Sequence, residues 1–402
     1  MRARIATATV AAALLAACTP SPAPPAFGPP GESHSGPGYT VTVDPADPLR
    51  LHARLDLPAY TGGPRTAFVR GTSLGPGAQV RAPACDGEAL AAVGDHAWTL
   101  PADCRRLSWT IEARPAVANA EDAAAQASLH FPEPGWWLLS EPSALLRVEG
   151  ALSQTDLPLA IEGLAEGHVV LGGRRQGAGW RVPSVDHAPE FFVFGALQQR
   201  HGTVGTVEVT HVVDDVARFE RLPLVDLHAQ ALAYLAEVFQ VPAELPEEDR
   251  RLLVVWLGID ESGGEAGGAA GSRSFLANYV DGDADGIALN AARTLLVLAH
   301  EQVHQLHDLM WRGGAPLPTW MGEGLAHYYG LKALARSDLP PDVVDRAMQA
   351  YIDPARPIEA SLVEYQRRYA SGDMEAYEMF YFQGATLWSE VDRLLREATP
   401  EA

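Results

Sequence analysis

The period of the hydrophobic pattern changes near residue 223, and this change limits the folds open to the chain. Before it, short stretches of alternating apolar and polar residues recur between turns rich in Pro and Gly, as at 39–43, 107–111 and 206–213. Such alternation is typical of half-buried β-strands. After it, apolar residues recur at helical spacing. Because 402 residues exceed one ordinary core, the pattern predicts an α+β chain with a β-sandwich-like N-terminal domain, 39–222, and a mainly helical domain, 223–402.

The second region has its own internal pattern. Periodicity and caps predict a buried strand at 252–257 and helices at 291–311, 322–335 and 374–396. A Gly-rich loop is expected at 261–271. Residues 275–280 and 287–290 flank a short acidic turn and are predicted to pair as a hairpin, with 287–290 as an edge strand.

The first 38 residues are typical of an export signal and a tether. Arg2 and Arg4 precede an apolar run, 5–17, that is too short to span a bilayer and ends at Cys18. Leu-Ala-Ala-Cys at 15–18 resembles the bacterial lipobox, so 1–18 is predicted to be a lipoprotein signal peptide with Cys18 lipidated. An ordinary signal peptide that carries a cysteine is the alternative. Residues 19–38, dense in Pro, Gly and Ser, would then form the tether.

The expected location is therefore the bacterial cell envelope. If the cell is Gram-negative, the periplasmic face of the outer membrane is expected, because Thr19 follows Cys18 in place of the Asp associated with inner-membrane retention. No later apolar run reaches 18 residues, so the lipid would be the sole membrane contact.

The net charge and the remaining cysteines give two further expectations, one about binding partners and one about a disulfide. The formal net charge of −21 would repel phosphate backbones, so no nucleic-acid partner is expected. Cys85 and Cys104 are the cysteines left after Cys18, and in an exported protein they are expected to form a disulfide. Two buried free thiols are the alternative. The oligomeric state stays open.

One short motif points to metal chemistry. His300-Glu301-Gln302-Val303-His304 is H-E-x-x-H, and its two histidines lie one turn apart on the same face of a predicted helix. This spacing lets both imidazoles bind one Zn²⁺ ion and places Glu301 beside the water that the metal activates. Glu301 is then expected to act as the general base.

A catalytic zinc site also needs a third protein ligand and an open position. Glu323 lies in Trp-Met-Gly-Glu-Gly at 320–324, and residues 305–322 separate it from His304. That separation allows a second helix to return to the metal. The sequence thus predicts one zinc ion per chain, bound by His300, His304 and Glu323.

This arrangement resembles the gluzincin peptidases, and most closely the aminopeptidase N and glycyl aminopeptidase families. The resemblance rests on H-E-x-x-H, the gap of 305–322, Glu323-Gly324, the Tyr pair at 328–329 and Tyr-Phe-Gln-Gly-Ala at 381–385. It implies a thermolysin-like domain over 223–402, preceded by a β-domain. It also implies a zinc-dependent peptidase acting on a peptide or protein, in which Tyr381 stabilises the oxyanion, with Tyr377 and Tyr365 as substitutes.

The chain departs from those families in two places. Their aminopeptidases carry a Glu that holds the substrate amine before the metal helix, but 267–273 contains none, and Glu265 is out of pattern. The C-terminal lobe after Tyr381 is also expected to be short. Aminopeptidase and endopeptidase action therefore both remain open, and the alternative function is a catalytically inactive zincin-fold lipoprotein that serves as a binding or scaffold module.

A second metal motif is weaker. Asp281, Asp283 and Asp285 form D-x-D-x-D-G, which opens a calcium-binding loop. The twelfth position of such a loop is acidic, but Ala292 stands there. A solvated acidic turn is therefore favoured over a Ca²⁺ site.

Overall fold

The computed structural model describes residues 36–71, 79–116, 126–176, 179–259, 267–280, 286–311, 317–349 and 358–398. Cys18, nearly all of the predicted tether, Glu265 and the acidic turn 281–285 lie outside these residues. The predictions of lipidation and of a Ca²⁺ site therefore stay predictions. In the part of the chain that is described, no helix is long and apolar enough to cross a membrane.

The described residues of the N-terminal region form three β-sheets. Its strands are β1 (Gly38–Val43), β2 (Arg50–Asp56), β3 (Arg65–Val69), β4 (Val80–Cys85), β5 (Glu88–Ala89), β6 (Ala92–Gly94), β7 (Ala97–Leu100), β8 (Arg106–Glu112), β9 (Arg114–Pro115), β10 (Leu129–Phe131), β11 (Trp136–Ser140), β12 (Leu146–Val148), β13 (Leu157–Glu162), β14 (Val169–Gly172), β15 (Arg175–Gln176), β16 (Gly179–Val182) and β17 (Phe191–Gly195), with a short helix α1 (Glu141–Ala144). The sheet orders are β15-β16-β13-β1-β2-β8-β4-β5, β14-β17-β11-β10-β9 and β12-β3-β7-β6.

Alternation along these strands produces the first core. In β2 the residues Leu51, Ala53 and Leu55 are buried while their neighbours are partly or fully exposed, as the two faces of a pleated strand require. Cys85 and Cys104 are joined by a disulfide with a Cα–Cα distance of 5.7 Å. This bond ties the end of β4 to the turn before β8.

The described residues of the C-terminal region form one five-stranded sheet with helices on one face. Its strands are β18 (Gln198–Val204), β19 (Val207–Val213), β20 (Arg251–Ile259), β21 (Gly268–Ala270) and β22 (Ser274–Val280), in the order β18-β19-β20-β22-β21. Its helices are α2 (Val216–Phe219), α3 (Leu224–Val238), α4 (Ile287–Met310), α5 (Thr319–Leu334), α6 (Pro341–Gln349), α7 (Leu362–Ala370) and α8 (Glu375–Ala398), with a 3-10 turn at Glu247–Asp249. The α+β class is therefore correct, and this sheet begins at Gln198, ahead of residue 223.

Strand β20 shows why the two regions stay together. Val254 and Trp256 pack with the helices in one core, whereas Leu253, Val255 and Leu257 pack with Trp136, Leu138 and Phe191 of the N-terminal region in another. A sheet covered on both faces needs a nearly continuous apolar strand, and every residue of β20 after Arg251 is buried. The N-terminal region thus covers the face of the sheet that the helices leave open.

The predicted hairpin of 275–280 with 287–290 is wrong. Residues 287–290 form the first turn of α4, and β22 pairs instead with β21 in an antiparallel register of Ala269 with Leu276. A short apolar run does not distinguish a strand from a buried helix segment, and Ile287 continues the i, i+4 series of Ala291 and Leu295 on α4. The edge strand lies inside the segment expected to be a loop, at Gly268–Ala270.

Candidate metal centre

Helix α4 presents two histidines on one face. Buried side chains such as Leu295, Leu298 and Ala299 anchor the preceding turns in the helical core, so the helix is a fixed platform. The Nε2 atoms of His300 and His304 lie 3.1 Å apart. Their rings meet edge to face with centroids 4.8 Å apart. Both imidazoles thus point to one place.

Helix α5 brings Glu323 to the same place. Its Oε2 lies 3.1 Å from Nε2 of His300 and 3.3 Å from Nε2 of His304. Three donors about 2.0–2.1 Å from a tetrahedral zinc ion lie roughly 3.3 Å from one another. The triangle formed by the three side chains therefore fits zinc, and two imidazole nitrogens with one carboxylate oxygen leave a fourth position for water or substrate.

Because the three side chains of this triangle are mostly buried, their charges affect one another's pKa values strongly. The side chains of His300, His304 and Glu323 are only 8%, 27% and 14% exposed. Burial lowers the pKa of His304, but the charge and hydrogen bond of Glu323 outweigh it and raise that pKa to about 9. Burial raises the pKa of Glu323, yet the two histidines hold it well below its usual range. A cation is therefore favoured here.

The other potential metal cluster among the described residues is a disulfide. Cys85, Asp86 and Cys104 lie close enough to bind an ion, but the two sulfurs are bonded to each other. Sulfur in that state is not a thiolate ligand. The His300, His304 and Glu323 cluster is therefore the candidate metal centre.

Glu301 lies next to the edge strand. A Cβ atom built on Gly268 would lie 3.0 Å from Cγ of Glu301, so the two residues are in contact. The backbone N–H of Ala270 donates a hydrogen bond to the Glu301 carboxylate. Burial raises the pKa of Glu301, while His300 and His304 lower it. A carboxyl group with a raised pKa beside a metal triangle is suited to accept and return a proton.

Helix α8 places two tyrosines beside the triangle. The ring of Tyr381 lies 5.4 Å from that of His300, and the ring of Tyr377 lies 5.4 Å from that of Tyr381. Tyr377 also forms hydrogen bonds with Glu323 and Tyr381. Burial, followed by the charge of Glu323, raises the pKa of both phenols. Both hydroxyls thus stay protonated and can donate.

Tyr365, His307 and His327 are packing groups. Tyr365 belongs to an apolar cluster between α7 and α8. His307 stacks on Trp311 with centroids 4.9 Å apart. His327 is buried, and its ring lies 5.9 Å from that of His300. None of these three joins the candidate ligand cluster.

Two glycines set the distance between α5 and α8. A Cβ on Gly324 would lie 2.6 Å from Cα of Gly384, so the helix backbones touch at this crossing. Glu323 adjoins Gly324, and Tyr381 lies about one turn before Gly384. The crossing therefore brings the third candidate ligand and the tyrosine together.

Buried glutamines on α4 were not anticipated from the sequence. The Oε1 atom of Gln302 accepts a hydrogen bond from Nε2 of His228 at 3.2 Å, and its Nε2 atom donates to Oε1 of Gln305 at 3.1 Å. Gln305 in turn donates to the backbone of the turn between β21 and β22. The available signal was their place in the apolar series of Ala291, Leu295 and Leu298 on this helix, where a buried amide requires a partner.

Comparison with known proteins supports the fold. No family model matches the chain, and the comparison with curated proteins gives no match either. Among solved structures, the chain is similar to an aminopeptidase N family protein from Idiomarina loihiensis, with a TM-score of 0.62 and 15% identity. The alignment covers 90% of this chain and 67% of that one. At this identity the likeness concerns the fold.

Proposed function

We propose that the protein is a zinc-dependent peptidase that hydrolyses peptide bonds in the bacterial cell envelope. The observation that carries the proposal is the convergence of His300, His304 and Glu323 at 3.1–3.3 Å, with Glu301 and Tyr381 alongside. The similarity of the fold to an aminopeptidase N family protein supports a thermolysin-like catalytic domain.

In this proposal His300, His304 and Glu323 hold one zinc ion. The ion supplies a Lewis acid that activates water and polarises a carbonyl oxygen. Glu301 takes a proton from the attacking water and returns it to the leaving amine. The hydroxyl of Tyr381 donates a hydrogen bond to the oxygen on which negative charge develops.

Strand β21 is assigned the role of a substrate-binding element. Among the described residues it ends the sheet, and its three residues Gly268, Ala269 and Ala270 are small. An extended peptide can add to such an edge through main-chain hydrogen bonds. Strand β21 thus takes the place of the edge strand predicted at 287–290, which is helical.

One observation keeps a second function open. In the aminopeptidases that the sequence resembles, a Glu before the metal helix holds the substrate amine, but residues 267–273 contain none. A catalytically inactive binding or scaffold module with the same fold is therefore the alternative, and aminopeptidase versus endopeptidase action is left to experiment.

The test uses protein that lacks residues 1–38. We expect about one zinc per chain, loss of most zinc in His304→Ala, and retained zinc in Glu301→Gln. Wild type should cleave members of a diverse peptide library, and Glu301→Gln should be slower by about a hundred- to ten-thousand-fold. Failure to bind zinc would refute the proposal. Zinc-loaded wild type that cleaves no peptide would favour the scaffold.

A further inference from the structure

The turn between β21 and β22 is held from the side of α4. We call these two strands and their turn, 268–280, the edge hairpin. Nε2 of Gln305 donates to the carbonyl oxygens of Gly271 at 3.2 Å and Ser274 at 2.9 Å. Gln305 is fully buried and directly follows His304. The candidate metal helix and the edge hairpin are therefore joined by a fixed amide.

The N-terminal region holds the same turn from the opposite side through Glu190. This carboxylate is fully buried just before β17. It accepts hydrogen bonds from the backbone N–H of Arg273 at 3.3 Å, from the N–H of Gly173 at 3.2 Å and from the hydroxyl of Ser274. The Ser274 oxygen accepts in turn from the N–H of Phe191 at 2.8 Å.

The fit around this carboxylate is close. A Cβ on Gly173 would lie 2.1 Å from the carbonyl oxygen of Arg273, and one on Gly271 would lie 2.6 Å from that of Pro189. The N–H of Ser272 donates to the same Pro189 oxygen at 2.6 Å. Backbone thus meets backbone across the boundary between the regions, and a small shift of the turn would break several contacts together.

A buried carboxylate at this place is costly and needs its partners. Burial raises the pKa of Glu190 to about 7, against the lowering effects of the Ser274 hydrogen bond and of the Arg174 charge. Asp249 lies 3.5 Å from Arg273 in a second buried pair at the same turn. An apolar residue would cover the boundary at less cost, but it could not accept the two hydrogen bonds that the turn donates.

We propose that Glu190 is a positioning residue: it fixes the edge hairpin against α4 so that the Ala270 N–H stays bonded to Glu301 and the strand edge stays aligned for substrate. The claim that Glu190 holds the edge hairpin rests on the contacts described above. Its catalytic consequence rests on the proposed peptidase function. The N-terminal domain would then be part of the catalytic apparatus as well as a cover for the sheet.

The experiment compares three zinc-loaded variants with wild type. Glu190→Ala removes all three hydrogen bonds. Glu190→Gln keeps an acceptor oxygen for Ser274 and Gly173 but turns an amide toward Arg273. Asp214→Asn is the control, because Asp214 is a partly buried carboxylate at the opposite end of the same sheet, hydrogen-bonded to Gly258 and Tyr279. Amide hydrogen exchange, zinc content, kcat and KM are measured for each.

In Glu190→Ala we expect exchange within 268–274 to accelerate on the order of a hundred-fold, with 294–306 unchanged. We expect kcat/KM to fall on the order of a hundred-fold at full zinc content, partly through a higher KM. A smaller folded fraction would not raise KM. Glu190→Gln should stay within about ten-fold of wild type, because one hydrogen bond of three is lost. Asp214→Asn should leave exchange of the hairpin and KM unchanged.

The outcomes separate this inference from the proposed function. Unchanged exchange of the hairpin in both Glu190 variants, or an equal effect of Asp214→Asn, would overturn it. So would a loosened hairpin with wild-type kcat and KM. If Glu190→Ala does not fold, Glu190→Gln decides by the same comparison. If wild type binds zinc but cleaves nothing, the proposed function fails, while the exchange data still decide whether Glu190 holds the hairpin.

Discussion

Gly324 and Gly384 lie backbone against backbone where α5 crosses α8. A Cβ on Gly384 would lie 2.7 Å from Cα of Gly324, closer than two unbonded carbon atoms approach. Because Glu323 and Tyr381 stand on these helices close to the crossing, its tightness sets how near the phenol lies to the candidate ligands. Gly324 of the E-G segment and Gly384 of the Y-x-x-G-A segment therefore allow the two helices to pack this closely.

This contact predicts that Gly384→Ala separates the helices. We expect a loss of about 1–3 kcal/mol in the free energy of unfolding and a lower kcat, because Tyr381 moves away from the reacting carbonyl. Urea unfolding and peptide kinetics test this. The control is Gly322→Ala in α5, where a Cβ meets nothing within 4 Å. It should stabilise by up to about 1 kcal/mol, so equal losses in both variants would contradict the prediction.

The two tyrosines of α8 can be distinguished by removing single hydroxyls. Tyr381→Phe should retain zinc and lower kcat by about a hundred- to a thousand-fold, since one oxyanion donor is lost. Tyr377→Phe removes hydrogen bonds to Glu323 and Tyr381 but no direct donor, so its loss should be smaller. The value of kcat, measured for each variant with one library peptide that wild type cleaves well, tests this difference. A larger loss of kcat in Tyr377→Phe than in Tyr381→Phe would assign the oxyanion donor to Tyr377 instead of Tyr381.

The contact between Gly268 and Glu301 predicts that bulk on the edge strand disturbs the general base. In Gly268→Val the added side chain would meet Glu301, Val297 and the Leu276 carbonyl, so we expect kcat/KM to fall on the order of a hundred-fold with zinc retained. At Gly202, in the opposite edge strand β18, an added Cβ meets nothing within 4 Å, so Gly202→Val is the control. Comparable activity in the two variants would show that the contact is unimportant.

The buried His228 predicts acid destabilisation. Burial lowers its pKa to about 4, although the hydrogen bond with Gln302 opposes this. An unfolded histidine titrates near about 6.5, so the unfolded state binds the proton first as pH falls. The stability from neutral His228 is therefore present above about pH 6.5 and is lost toward pH 4, by roughly 3 kcal/mol.

Urea unfolding at pH 7 and pH 4.5, with a chelator present throughout, checks the sign. His211, whose pKa burial also lowers, contributes in the same direction, so wild type is compared with His228→Gln. The variant keeps a donor for Gln302 and should lose less stability between the two pH values. Equal losses of stability in wild type and in His228→Gln would exclude His228 as a source of the acid destabilisation.

The proposed anchor predicts a change of compartment. Cys18→Ser should move the protein from membrane to soluble fractions, because a single lipidated cysteine is the expected attachment. Fractionation with immunodetection reports the shift. Mass spectra of native protein with an unmodified Cys18 would contradict the prediction.

The sequence alone determined the local features. The i, i+4 histidines of α4 follow from spacing, because helical geometry fixes which residues share a face. The separation of Glu323 from His304 predicted a second helix, whereas Tyr381 was expected from the resemblance to the gluzincin peptidases. The change from alternating to helical periodicity likewise gave the order of strand-rich and helical regions. These properties depend on neighbours within a few turns of chain.

Only the tertiary structure decided the rest. Spacing could not show that β21 is the edge strand, because three small residues carry no periodic signal, or that Glu190 meets Arg273 and Ser274 across the boundary between the regions. The same holds for the contact of Gly324 with Gly384. Each of these contacts joins segments that are far apart in the chain. Such contacts depend on the fit between packed surfaces and on the need of buried polar groups for partners. Neither requirement can be read from the residues of one segment alone.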